Sequence, residues 1–211
     1  RFENNSHRYT GMMLINPFMV APAIPASAEI LMPFTTTSGF ADVANNHAIT
    51  VIGTPTIATL GGVFDDGALL VSPTSYIRVD STPALNLGAQ TPFTFECDVY
   101  ITVSPYPCGI LSMRSTGIYV PFVIIRDGSL IGNSELSAWS GIAASIPLNT
   151  KTRVKLVGDG TNIKEYINGV LMGTVTHPSW PSSNGFLNIG HDYSGSMTGY
   201  ISNFRFRNAV V

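Results

Sequence analysis

The sequence predicts an all-β protein, an antiparallel sandwich or barrel, and three observations carry the prediction. Short strand-like runs recur from Phe34 onward, each bounded by Gly, Pro, Asn or Asp. Asn168-Gly169 separates the runs Ile163-Lys-Glu-Tyr-Ile and Val170-Leu-Met-Gly-Thr-Val. That dipeptide supplies the two positive φ angles that a two-residue hairpin turn requires. No window of about 11 residues shows a helical period, which disfavours alternating strands and helices.

In chain order, residues 1–33 stand apart. Arg1 to Tyr9 is polar, whereas Met12 to Met32 is apolar and broken by Pro17, Pro22 and Pro25, with Pro33 following. Prolines at this frequency forbid a regular helix and interrupt strand ladders. Two placements fit: an extended arm lying along a surface, its own or a neighbour's, or a strand and loop packed on the same domain. The expected organisation is an arm over 1–33 and one domain over 34–211. Strands are expected at Ala48-Ile-Thr-Val-Ile, Ala68-Leu-Leu-Val-Ser, Tyr76-Ile-Arg-Val and Phe93-Thr-Phe-Glu-Cys-Asp-Val-Tyr-Ile. Further strands are expected at Tyr119-Val-Pro-Phe-Val-Ile-Ile, Arg153-Val-Lys-Leu-Val, the two arms of the hairpin, Phe186-Leu-Asn-Ile and Tyr200-Ile-Ser-Asn-Phe-Arg-Phe. Asp66-Gly67, Asp127-Gly128 and Asp159-Gly160 are turn candidates. Arg205 and Arg207 alternate with Phe204 and Phe206, which reads as a polar and an apolar face of one strand.

A length of 211 residues suits one sandwich domain and is enough to bury a core without disulfides or metals. Charged residues make up 11%, well below the quarter or so usual for globular proteins. Weakly charged surfaces tend to associate, so partners are expected to cover part of this one. A net charge of −2 without a Lys/Arg run excludes a nucleic-acid footprint. No apolar run reaches the ~18 residues of a membrane-spanning helix, and no secretory signal pattern is present. Cys97 and Cys108 could bridge neighbouring strands, but such low cysteine usage favours two reduced thiols.

The order of elements from about Phe64 to Arg207 resembles laminin-G-like domains. Phe64-Asp-Asp-Gly-Ala-Leu-Leu and Tyr76-Ile-Arg-Val resemble the opening core strands, and Ser81-Thr-Pro-Ala-Leu-Asn-Leu-Gly the loop that follows. Phe93 to Tyr100 resembles the long central strand and Gly109-Ile-Leu-Ser-Met-Arg the next. Tyr166-Ile-Asn-Gly-Val-Leu-Met-Gly resembles the hairpin; Asn188-Ile-Gly and Gly199-Tyr-Ile-Ser-Asn-Phe-Arg-Phe resemble the closing strands. The resemblance implies a concanavalin A-like antiparallel jelly-roll β-sandwich. Versions with little charge, few cysteines and a Pro-rich apolar lead-in look like modules of bacteriophage tail, baseplate and fibre proteins. That likeness implies a virion location, contacts with other virion subunits through the arm, and a homo-oligomer, trimeric by the usual symmetry of fibres.

The same superfold hosts glycoside hydrolases, whose signature alternates three acidic residues on one strand. Here the strand reads Glu96-Cys-Asp98-Val-Tyr100, with Tyr100 where the third acid should stand. That leaves no acid/base partner for retaining chemistry, so the chain is expected not to be an enzyme. His7, His47, His177 and His191 lack zinc-ligand spacing and read as surface or turn residues. Calcium, which takes oxygen ligands from loops, is the metal the family implies, with Asp65, Asp66, Asp192 and Asn203 as candidates. Each of them also fits an ordinary turn role. For carbohydrate binding the candidates are Trp139 and Trp180, both in loop-like sequence, and Tyr193, with Tyr106 a lesser one. A loop Trp can equally cap the core or sit in a subunit contact. Tyr119, Tyr166 and Phe95 lie in strands and are expected in the core. The expected function is therefore a non-enzymatic binding or structural module of a virion, contributing to assembly and to host surface polysaccharide recognition. A capsid decoration protein and a secreted carbohydrate-binding adhesion domain are the alternatives.

Overall fold

A computed structural model describes residues 29–82, 85, 87, 91–103, 108–113, 122–126, 129–133, 144–176, 186–192 and 195–211. The strands in chain order are β1 (Glu29–Met32), β2 (Ile49–Ile52), β3 (Thr56–Leu60), β4 (Phe64–Val71), β5 (Tyr76–Val79) and β6 (Phe93–Val103). Then come β7 (Cys108–Ser112), β8 (Phe122–Arg126), β9 (Ser129–Asn133), β10 (Ala144–Ser145), β11 (Thr152–Gly158) and β12 (Asn162–Ile167). The last are β13 (Val170–Thr176), β14 (Leu187–Ile189), β15 (His191–Asp192), β16 (Gly195–Ser196) and β17 (Thr198–Arg207). They form two sheets. One runs β13-β12-β11-β6-β17-β4-β3, with β1 also on β17; the other runs β10-β9-β8-β7-β14-β5-β2, with β15 and β16 beside β7. All pairings between the long strands are antiparallel, as the jelly-roll expectation requires.

Strand alternation builds the core. On β6 the residues Phe93, Phe95, Cys97, Val99 and Ile101 are buried. Phe204 and Phe206 of β17 pack beside them, with Phe95 and Phe204 ring centroids 5.6 Å apart. Ile77 and Val79 of β5 and Leu187 and Ile189 of β14 complete the same cluster from the second sheet. Arg205 and Arg207 are half-buried on the outer face of β17, so that strand divides into faces as its sequence alternates. Cys97 is an unpaired thiol, and burial together with the neighbouring Asp98 charge pushes its pKa well up.

Two turns form as expected. Asn168 and Gly169 have φ of 50° and 81° and join Ile167 to its partner Val170. The Asp159 side chain accepts from the Thr161 and Asn162 N–H groups (2.9 and 2.7 Å) in the turn between β11 and β12, holding the carboxyl below its usual range. Asp127-Gly128 lies outside the described residues.

Asp66-Gly67 is not a turn. Both residues lie inside β4, where Gly67 has φ 109° and a Cβ would come within 2.9 Å of Ile57 Cγ2 and 3.1 Å of Thr36 N. The glycine serves a close backbone approach, in which Thr36 N–H donates to the Asp66 carbonyl at 2.9 Å. Besides the two-residue strands β10, β15 and β16, strands β1 and β3 were not expected. Among the described residues β3 is an edge strand paired with β4 alone. β1 lies in the segment that composition assigns to an arm, yet Glu29 to Met32 pair with Arg207 to Phe204, and Ile30 and Met32 are fully buried. The sandwich therefore includes these residues, and the remainder of the segment, 1–28, is outside the described residues.

Candidate functional site

The outward positions of β6, β11 and β17 bring together residues far apart in sequence. Register places Arg153 opposite Asp98, Lys155 opposite Glu96, and Arg205 opposite Glu96 from the other side. Opposite charges facing each other across strands stabilise the ladder by roughly 0.2–1 kcal/mol per pair. The Arg153 guanidinium bridges the two acids, with Nη2 3.0 Å from Glu96 Oε2 and Nη1 3.2 Å from Asp98 Oδ1. Burial works against the Arg153 charge, and the two carboxylates more than offset it, holding the guanidinium pKa above its ordinary value. Asp98 Oδ2 also accepts from Asn203 Nδ2 at 2.8 Å and lies 3.7 Å from Lys151 Nζ. Glu29 of β1 closes the row, 2.8 Å from Arg207 Nη2 and 3.1 Å from Arg205 Nε.

Two open cavities adjoin at Arg153. One, of about 350 Å³, is lined by Leu31, Pro33, Glu96, Arg153, Asn203 and Arg205. The other, of about 380 Å³, lies over β11 and β12 and includes Lys155, Lys164, Tyr166 and the tail residues Val210 and Val211. The tail is strapped across the sheet. Thr94 Oγ1 donates to the Ala209 carbonyl at 2.7 Å, Val211 N–H donates to Thr94 Oγ1 at 3.1 Å, and Lys155 Nζ donates to the Val211 oxygen at 2.8 Å. Both volumes fall within the roughly 300–1,000 Å³ range of ligand sites.

Trp139, Trp180 and Tyr193, with Tyr106 and Tyr119, lie outside the described residues. The four calcium candidates fall at three separate places. Asp65 and Asp66 are exposed at the start of β4, where Asp65 Oδ1 accepts from the Gly62 N–H at 2.8 Å. Asp192 is fully buried on β15 and accepts from Ser112 Oγ at 2.8 Å. Asn203 occupies a bulge of β17 with φ 51° and joins the charged row. Among the described residues no three His, Cys, Asp or Glu side chains gather as a metal would need. His47 pairs with the buried Asp42 (2.5 Å), and His191 stacks on Tyr76 with centroids 4.0 Å apart. Burial lowers the His191 pKa, against the raising influence of Asp192.

Phe95 is in the core as expected, but Tyr166 is not. β12 buries Ile163, Glu165 and Ile167, leaving Lys164 and Tyr166 on the outer face beside the second cavity. Period-two alternation anchored on the two isoleucines would have found this. It also turns a carboxyl inward. Glu165 is 1% exposed, neither oxygen has a hydrogen-bond partner among the described residues, and burial pushes its pKa up to about 8. Lys151, Arg153, Lys155 and Arg207 carried no signal as site residues, because their partners lie tens of residues away.

Comparison with known proteins agrees with this architecture. The structure is similar to the binding domain of Paraclostridial Mosquitocidal Protein 1, with TM-score 0.71 and 12% identity over 87% of this chain and 49% of that one. It is similar to domain 4 of AbnA, a GH43 extracellular arabinanase from Geobacillus stearothermophilus, solved in complex with arabinotriose. There the TM-score is 0.67 and identity 17%, over 88% of this chain and 93% of that one. A third likeness is to the binding domain of Botulinum neurotoxin DC in complex with rat synaptotagmin II, with TM-score 0.65 and 13% identity over 88% and 49%. The chain thus spans about half of each toxin binding domain and nearly all of the arabinanase domain; at these identities the likeness is one of fold. No curated protein matches the sequence. A family model does match, over residues 72–211, two thirds of the chain and every strand of the charged row but β1, and the chain belongs to the Concanavalin A-like lectin/glucanases superfamily.

Proposed function

We propose that this chain is a non-enzymatic carbohydrate-binding module. The observation that carries the proposal is the Arg153 bridge between Glu96 and Asp98 at the wall of an open groove. On this strand the superfold's hydrolases place their acids. Here both carboxylates are spent on a guanidinium, and Tyr100 takes the third position, so no free acid/base pair is left for glycoside cleavage. The same guanidinium, amide and carboxylate groups converge on a cavity of sugar size, which is the polar lining that oligosaccharide hydroxyls need. The full-length likeness to an arabinanase domain solved with arabinotriose supports this reading.

Calorimetric titration with host surface polysaccharide and with arabino-oligosaccharides, with and without chelator, tests it. Saturable binding without release of reducing sugar is the expected result. Hydrolysis that disappears in Glu96→Gln would overturn the non-enzymatic assignment. Loss of binding under chelation would place calcium at the site.

We further propose a virion setting, in which the segment ahead of β1 contacts other subunits of a homo-oligomeric tail or fibre. The low charge and the exposed Val170, Leu171 and Met172 on an edge strand support an associating surface. Deleting residues 1–28 should leave the domain folded and absent from particles; incorporation of the truncated chain would refute the arm's role.

A further inference from the structure

The cations of this chain are not evenly spread. Six of its eleven Lys and Arg residues, Lys151, Arg153, Lys155, Lys164, Arg205 and Arg207, project from one face of one sheet. The acids beside them are already engaged. Glu96 and Asp98 face Arg153, Glu29 faces Arg205 and Arg207, and Asp159 serves its own turn and Lys164, 3.3 Å away. On the outer face of β1, β6, β11, β12 and β17 and the turns beside them, six cations thus meet four acids, while Asp65 and Asp66 stand exposed on β4 toward the other edge of the sheet.

Lys155 and Lys164 line the 380 Å³ cavity together with Asp159, and Arg153, already held by Glu96 and Asp98, stands at its edge. Lys155 stands opposite Glu96 in the ladder, but among the described residues no carboxylate lies within ion-pair distance of its ammonium, which donates to the Val211 oxygen at 2.8 Å. The half-buried Tyr166 ring lies on β12 between Lys164 and the hairpin turn, and Tyr166 stands directly opposite Lys155 across β11 and β12. An aromatic ring packs on the C–H face of a sugar, and flanking ammonium groups make charge-assisted hydrogen bonds to carboxylates.

We propose that this cavity takes an acidic glycan: a uronate-bearing oligosaccharide that lies over Tyr166, with its carboxylates directed to Lys155 and Lys164. The proposal rests on the carbohydrate-binding reading above and extends it from the groove at Glu96 and Asn203 to the cavity that adjoins it at Arg153.

The test is calorimetric titration of the intact chain with polygalacturonate oligosaccharides and, separately, with neutral arabino-oligosaccharides of equal length. Tighter binding of the acidic series is expected. Its affinity should fall as NaCl rises from about 50 to about 500 mM, because screening shortens the reach of these charges. Lys155→Gln and Lys164→Gln should each weaken acidic binding by about tenfold, the loss of one charge-assisted hydrogen bond. Lys164→Arg should restore it, and Arg78→Gln on the opposite sheet should leave it unchanged. Equal or tighter binding of the neutral series, or lysine variants that bind like wild type, would overturn the acidic assignment while leaving the carbohydrate reading in place. Failure of both series with the folded chain would overturn both.

Discussion

The Glu165 carboxyl lies between Ile163 and Ile167 on the inner side of β12, without a partner for either oxygen among the described residues. Its pKa is pushed up to about 8 from an ordinary 4.5 by desolvation. The native state therefore holds a proton between pH 4.5 and 8 that the unfolded chain has released. In that window stability falls as pH rises; below it both states are protonated, and above it both are ionised. Each pH unit is worth about 1.4 kcal/mol, so the span from pH 5 to 7.5 would cost about 3 kcal/mol in full. Relaxation around the buried group lowers the expected loss to about 2 kcal/mol. Glu165→Gln keeps the shape and cannot ionise, so its stability should lack this fall. Urea unfolding of both proteins at half-unit pH steps measures the difference directly. His191 and every other titrating group are common to both proteins and cancel. Parallel stability curves between pH 5 and 7.5 would refute the reasoning, because they would mean that the carboxyl is solvated or paired. Glu165→Leu, which removes the polar group altogether, should be more stable than wild type at pH 7.5 by a similar amount.

Other positions give sharp expectations. A Cβ at Gly158 would lie 2.4 Å from the Phe93 ring, so Gly158→Ala should cost about 1–3 kcal/mol by overpacking, read from the denaturation midpoint. Gly169 has φ 81° and open space around a Cβ, so Gly169→Ala should cost only about 1 kcal/mol, from backbone conformation alone. In a Cys108→Ser background the fully buried Cys97 thiol should react with a disulfide reagent only at the rate of unfolding; fast reaction in native buffer would show that the thiol is open to solvent.

Much of the fold was legible because its signals are local. Strand length, two-residue alternation and the φ demands of Asn168-Gly169 are written within a few residues of one another, and Phe204-Arg-Phe-Arg divides into faces without any partner. Asp66-Gly67 misled because the same dipeptide serves either a turn or a close approach, and only the Thr36 backbone beside it decides which. Tyr166 and Glu165 were assignable in principle from the flanking isoleucines, yet residue type pulls the other way, an aromatic inward and an acid outward.

By itself, then, the sequence determined the class of the fold, most of its longer strands and the absence of a third acid after Glu96 and Asp98. Tertiary structure alone decided what those acids face. Arg153 and Arg205 reach Glu96 across 57 and 109 residues of chain, through a register set by packing on both sides of β6. A charge cluster assembled from separate strands has no period and no spacing in the sequence, because its geometry belongs to the pairing of strands rather than to any one of them.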